Sequence, residues 1–347
     1  MRIRITVLFI CLILMFSVSV TAEEIRHTED GFEYTLCDSC ACVTGYHGKY
    51  LPRRLPEELD GFKIDRSVSY DDEMFKDLLR EHGIFRYGFV AENEICIVGW
   101  TGFERICYIP ETIDAVPVTG IGDFAFYCSG FTREFFADIV IVPGSVRYIG
   151  TCAFACTSVS HIVLNDGLEE IGDFAFQGLS QSNLSIPSTV RKMGVNPFLD
   201  FTVMFEDRNG FLFPAVSADN DHFETDFDLY GFRMLYSKED MRLIHCTGNL
   251  ICYPDHATVY TVPEGIRVID QYAFCYVPYL TKVVLPDSLT EIRSYAFYNS
   301  PVKEVEIPPN VTVFGEDIFD GSGTIICEKG SAAEKYAVEQ GYEVRYR

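Results

Sequence analysis

Apolar and polar residues alternate with period two in short runs, and after a proline or turn residue each run gives way to a second pattern ending in Ala-Phe. The unit is plainest in VVLPDSLTEIRSYAF, from Val283 to Phe297. Val283 and Leu285 flank Val284, the alternation of a strand with one buried face. Pro286 ends the pairing because it has no N–H to donate, and Asp287 and Ser288 supply the turn. Leu289 and Ile292 point back inward. Ala296 lets the next backbone approach, and the Phe297 ring fills the axis of the coil. The same frame fits VIVPGSVRYIGTCAF (Val140 to Phe154), IVLNDGLEEIGDFAF (Ile162 to Phe176), LSIPSTVRKMGVNPF (Leu184 to Phe198), YTVPEGIRVIDQYAF (Tyr260 to Phe274) and VEIPPNVTVFGEDIF (Val305 to Phe319).

The closing rings, with IGDFAF at Ile121–Phe126 added, are Phe126, Phe154, Phe176, Phe198, Phe274, Phe297 and Phe319, spaced by 28, 22, 22, 76, 23 and 22 residues. A period near 22 predicts a solenoid whose units bury their apolar faces only against their neighbours. Such scaffolds present an extended surface and bind more often than they catalyse. After the last coil, Ser331-Ala332-Ala333-Glu334 reads as a capping box, and Ala333, Tyr336 and Ala337 share one helical face that stops at Gly341. A terminal helix is what an open solenoid needs over its last coil.

With these residues in view, the chain resembles the BspA-type leucine-rich repeat family. The IP-x-x-V-x-x-I-G-x-x-A-F frame and the ending Gly330 to Ala337 carry the likeness. So does Leu235-Tyr236-Ser237-Lys238-Glu239 followed by Leu243 to Pro254, which looks like the family's hairpin between repeats. The likeness covers about Tyr87 to Arg347. It implies a β-rich leucine-rich-repeat solenoid of about 22 residues per coil, and exported or surface proteins that bind matrix proteins, other microbes or glycans.

The segment before the coils holds a duplication. Gly45-Tyr46-His47-Gly48 aligns with Gly99-Trp100-Thr101-Gly102; at the same offset Cys42-Val43 meets Cys96-Ile97, Leu55-Pro56-Glu57 meets Ile109-Pro110-Glu111, and Asp60 meets Asp114. Two related β units are expected. Between them Met74, Phe75, Leu78 and Leu79 recur at helical spacing before Gly83, predicting a helix over residues 71–82. Glu23 to Asp30 reads as a disordered tail. The 76-residue gap holds an insert whose acidic, aromatic stretch Asp219 to Tyr230 is either a binding loop or a strand decoration. The expected organisation is a signal peptide (1–22), an N-terminal β unit with a short helix (23–86), a first block of coils (87–208), a β insert (209–259), a second block (260–330) and a C-terminal cap (331–347).

Two basic residues, an apolar run from Val7 to Val20 and Val20-Thr21-Ala22 predict export with cleavage after Ala22. The run is short for a membrane span, so a secreted or cell-surface bacterial protein is expected, with no membrane insertion after cleavage. A net charge of −23 argues against nucleic acid and anionic membranes; it suits solubility or a cationic partner. Of the thirteen cysteines, Cys96, Cys107, Cys152 and Cys275 fall in repeat strands or core-facing turns, where a free thiol behaves as a small hydrophobe. Cys37, Cys40 and Cys42 are the group most suited to bridging.

Catalytic signals are poor: G-x-S-x-G, HExxH and the P-loop are all missing. His245, Cys246, Cys252 and His256 read better as a strand pair than as a zinc site. Asp219-Asn220-Asp221 departs from the calcium loop at Phe223. No cofactor, metal or catalytic residue is expected. The outward positions of successive strands, Ile141, Val163, Ser185, Thr261, Val284 and Glu306, form a ladder that is either a contact stripe or the β-propensity of a regular sheet. Phe131, Phe135 and Phe136 are a second apolar candidate. The leading expectation is a non-enzymatic recognition or adhesion protein for a protein or glycan, with extracellular matrix or another cell as its source. A structural spacer and a carbohydrate-binding accessory module, with sugar on Trp100, Tyr46 or the insert's aromatics, are the alternatives.

Overall fold

The computed structural model describes residues 25–37, 40–64, 68–70, 72–127, 137–157, 159–179, 183–199, 213–227, 233–247, 258–275, 277, 280–319 and 323–347. The chain divides into two compact units, Met1–Gly48 with Pro56–Val68, and Lys49–Leu55 with Ser69–Arg347.

In the larger unit the alternating runs become parallel strands. Ile139–Val142 lies in register between Ile106–Tyr108 and His161–Leu164, and Asn183–Ile186 pairs with Phe213–Val216. A second parallel ladder forms where each run turns back: Val116–Ile121, Tyr148–Ile149, Glu170–Ile171 and Lys192–Met193. Each coil therefore has two short strands and two corners, a β-solenoid. The later block repeats this through Val268–Ile269, Glu291–Ile292 and Val313–Phe314 on one ladder. Thr258–Thr261 with Leu280–Val284, and Glu304–Glu306 with Thr324–Cys327 and Glu343–Tyr346, supply the other.

The axis is a column of rings. Phe126, Phe154, Phe176 and Phe198 stack at 4.8, 5.7 and 5.8 Å, and Phe274, Phe297 and Phe319 at 5.2 and 5.8 Å. All but Phe126 are fully buried. Trp100 begins the column 5.5 Å from Phe126, and Tyr342 closes it edge-on to Phe319 at 5.3 Å. In the long gap His245 packs on Phe198 at 6.4 Å and Tyr260 on Phe274 at 5.9 Å. The residue before Ala-Phe adopts positive φ in coil after coil, at Phe124, Cys152, Phe174, Tyr272 and Tyr295. Its amide donates to the next coil, as Phe124 N–H does to the Thr151 carbonyl at 2.9 Å and Phe174 N–H to Val195 at 3.0 Å.

Both blocks start from an antiparallel meander. Leu79–His82, Phe85–Ala91 and Glu94–Trp100 lead into the first; Phe223–Phe227, Arg233–Ser237 and Arg242–Thr247 lead into the second. The two central hairpins share a β-bulge. Arg86 pairs with Gly99 and Tyr87 with Ile97, while Leu235 pairs with His245 and Tyr236 with Leu243. The smaller unit holds the same hairpin, with Glu33 opposite Gly45 and Tyr34 opposite Val43. Its parallel bridge Ala41–Ile64 and its turn at Asp60 (φ 49°) match Ile95–Val118 and Asp114 (φ 50°) in the larger unit. The duplication read from the sequence is thus a duplication of structure, and the insert carries a third copy of its hairpin.

Two local expectations are corrected. The helix expected over residues 71–82 is not found in the described part, 72–82: a 3-10 turn, Glu73–Phe75, precedes the strand Leu79–His82. Only Phe75 of the apolar set is fully buried, and Leu79 instead pairs with Gly88 across a hairpin. Within the proposed tail, Arg26–His27 is a strand on Glu33–Tyr34. The C-terminal helix Ala332–Gln340 is capped as its sequence predicts. Ser331 Oγ accepts from Glu334 N–H at 3.2 Å, and Gly341 takes the left-handed conformation.

Candidate functional site

The strand ladder is the first surface the sequence offered. Inward residues Val140, Val142, Ile162 and Leu164 are buried, so the residues between them point outward. Tyr108, Ile141 and Val163 lie side by side in register, as do Ser185 and Ala215, Thr261 and Val284, and Glu306, Ile326 and Arg345. Val163 and Val284 are 43% and 40% exposed, Ser185, Thr261 and Glu306 are exposed, and Ile141 is half-buried.

The ladder changes character along its length. Beside Tyr108–Ile141–Val163 runs a second outward row, Ile106–Ile139–His161. The first block therefore turns Ile106, Tyr108, Ile139, Ile141 and Val163 toward solvent together. Near the other end Arg345 pairs with Glu304 at 2.6 Å and Arg347 with Glu306 at 3.0 Å, so the Glu306 carboxylate is engaged within the sheet. Tyr108 and Ile106 were not singled out from sequence because the first coil lacks the full frame; the alternation Ile106-Cys107-Tyr108 before Pro110 was the signal available.

Elsewhere the polar groups hold coils together. Asp173 Oδ1 accepts the Val195 amide at 2.7 Å and Asp123 Oδ1 accepts Thr151 at 2.7 Å. The Thr189 hydroxyl accepts from Gly167 N–H at 3.1 Å and donates to the Leu168 carbonyl at 2.7 Å; Ser288 does the same for Gly265 and Ile266 one block later. Asp270 is fully buried between Arg242 and Arg293. Asn220, flagged with its acidic neighbours for calcium, spends its side chain on a turn: Nδ2 donates to Pro187 and Val190, and Oδ1 accepts from His222 and Phe223.

Cys96 and Cys107 are fully buried, and burial pushes both thiols up to about 12. Cys275 is also buried, whereas Cys152 occupies a half-buried corner. Cys42 is disulfide-bonded, but Cys40, grouped with it, carries a free thiol. His245 and Cys246 are buried in Arg242–Thr247; Cys252 and His256 lie outside the described residues, as do Phe131, Phe135 and Phe136. Among the described residues no group of three His, Cys, Asp or Glu side chains could hold a metal, and no helix is long and apolar enough to cross a membrane. Trp100, proposed as a sugar contact, is half-buried at the head of the ring column.

Parallel two-strand coils around a phenylalanine axis define a solenoid of the leucine-rich-repeat class. A family model, the BspA type leucine rich repeat region, matches six copies over residues 103–203 and 252–326, and the chain belongs to that family. Among curated proteins none matches it. Similar solved structures include a leucine-rich repeat protein from Eubacterium ventriosum (19% identity, covering 72% of this chain and 71% of that one, TM-score 0.44). The pneumococcal vaccine antigen PcpA is similar at 19% identity (72% and 81% covered, TM-score 0.38). So is a leucine rich cell surface protein from Faecalibacterium prausnitzii, at 18% identity (80% and 96% covered, TM-score 0.36).

Proposed function

We propose that this is an exported, non-enzymatic recognition protein that binds a partner protein through the outward row of its first coil block. The observation that carries the reading is the register of Tyr108, Ile141 and Val163 beside Ile106 and Ile139. Apolar side chains contiguous on a rigid parallel sheet favour contact over solvation, and β-branched residues on such a sheet lose little entropy on binding. Export rests on Met1 to Ala22, and localisation at or beyond the cell surface follows from it.

The test is a binding screen of the chain from Glu23 against immobilised fibronectin, fibrinogen and other matrix proteins at two salt concentrations. A saturable partner that Val163→Asp weakens at least tenfold, with unchanged melting, supports the reading. A partner indifferent to Val163→Asp and Ile141→Asp moves recognition off this face. Absence of any saturable partner favours the spacer reading, in which polar substitutions along the ladder cost nothing.

A further inference from the structure

We propose that the larger unit holds a second, separate binding site, a cleft for a neutral pyranose sugar at the head of the ring column. The cleft has a volume of about 370 Å³, within the range of ligand pockets. It opens between the meander strands and the first corner of the solenoid.

Its wall is built by motifs that the strand face does not use. The Gly99-Trp100-Thr101-Gly102 segment packs against its own hairpin. A Cβ on Gly102 would lie 2.3 Å from the indole Nε1, and one on Gly99 would lie 3.1 Å from Arg86 Nε. The two glycines thus leave room for the indole and the guanidinium that line the cleft. Phe124 and Tyr127 also line it, 5.7 Å apart at 89° and 41% and 47% exposed. Phe124 shares the left-handed backbone that recurs at this position of the coils, φ 58°, and presents its ring to solvent.

The decisive group is Thr157. It lines the cleft, is only 7% exposed, and its hydroxyl has no hydrogen-bond partner among the described residues. A buried hydroxyl left unpaired is costly, and a ligand hydroxyl would pair it. Charge narrows the ligand further. Among the described residues Arg86 is the one cation lining the cleft, beside Glu81 and Asp123, on a chain of net charge −23; both Asp123 oxygens are already taken by the Leu55 and Thr151 amides at 2.7 Å. An anion would meet this excess of negative charge, and a wholly apolar ligand would leave Thr157, Arg86 and Glu81 facing hydrocarbon. A neutral pyranose offers an apolar C–H face to the rings and a rim of hydroxyls to the polar groups.

Trp100 is the chain's single tryptophan, so its emission reports the cleft directly. The chain from Glu23 would be titrated with methyl glycosides of glucose, galactose, mannose and N-acetylglucosamine, with glucuronate and inorganic phosphate as charged controls, by tryptophan emission and by calorimetry. The expected result is a saturable emission change with at least one neutral glycoside, at a Kd of about 1 mM, and none with the charged controls. Thr157→Val should weaken it about tenfold without lowering the melting temperature, since no hydrogen bond to the described residues is lost. Phe124→Asn, which suits the left-handed backbone, should abolish it, while Val163→Asp should leave it intact. Flat responses to all four glycosides, calorimetric binding with unmoved emission, equal binding of glucuronate, or full affinity in Thr157→Val would each overturn the proposal.

Discussion

Single side chains carry the axis of this molecule, and each is replaceable only at a measurable loss. Phe297 is fully buried between Phe274 and Phe319. Truncating it to alanine should cost about 3–5 kcal/mol, read as a lowered denaturant midpoint with an unchanged slope. His245 takes a ring's place against Phe198 where the column passes the insert. Burial holds its imidazole down at about 4, against an ordinary value near 6.5. The unfolded chain therefore takes up the proton first. Stability should be full above about pH 6.5, fall on acidification toward about pH 4, and level off below, a loss on the order of 3 kcal/mol. His245→Phe should flatten the profile between pH 7 and pH 5, measured by chemical denaturation; an identical profile in the variant would refute the assignment.

At the scale of elements, the coil is held by its corners as much as by its strands. Asp173 accepts an amide of the following coil, so Asp173→Ala leaves the Val195 N–H without this acceptor and should destabilise by about 1–3 kcal/mol. Thr189 and Ser288 show that a hydroxyl at the strand-ending turn repeats this service between neighbours. The C-terminal helix depends on its cap: Ser331→Ala should cost about 1 kcal/mol and first expose Tyr336 and Tyr342, which cover Phe314 and Phe319. Local proteolysis at the C-terminus would report that fraying before global unfolding does.

Across the whole molecule, the charge excess opposes compaction. Raising ionic strength from about 0.01 M to 0.15 M shortens the Debye length from about 30 to 8 Å, so thermal stability should rise with salt, in scans that replace only the monovalent salt. The strand frame, its axial phenylalanines and the terminal cap were legible in the sequence, because each coil buries its residues against the next copy of the same pattern. That nearest-neighbour burial writes a period near 22 directly into the order of residues. The paired segments 54 residues apart were legible for the same reason, as copies of one hairpin. The 71–82 stretch misled because a few apolar residues at helical spacing do not say whether the chain will instead turn at Gly83 and pair Leu79 with Gly88. Only the folded structure could show that the insert restarts the solenoid, since its likeness to the first meander lies in a shared bulge, Leu235–His245 beside Tyr236–Leu243, and not in shared residue types. The placement of His245 in the ring column, and the meeting of Trp100, Phe124 and Thr157 around one cleft, were likewise decided by tertiary structure: coil stacking brings together side chains from separate turns, and no pattern along the chain records which of them will converge.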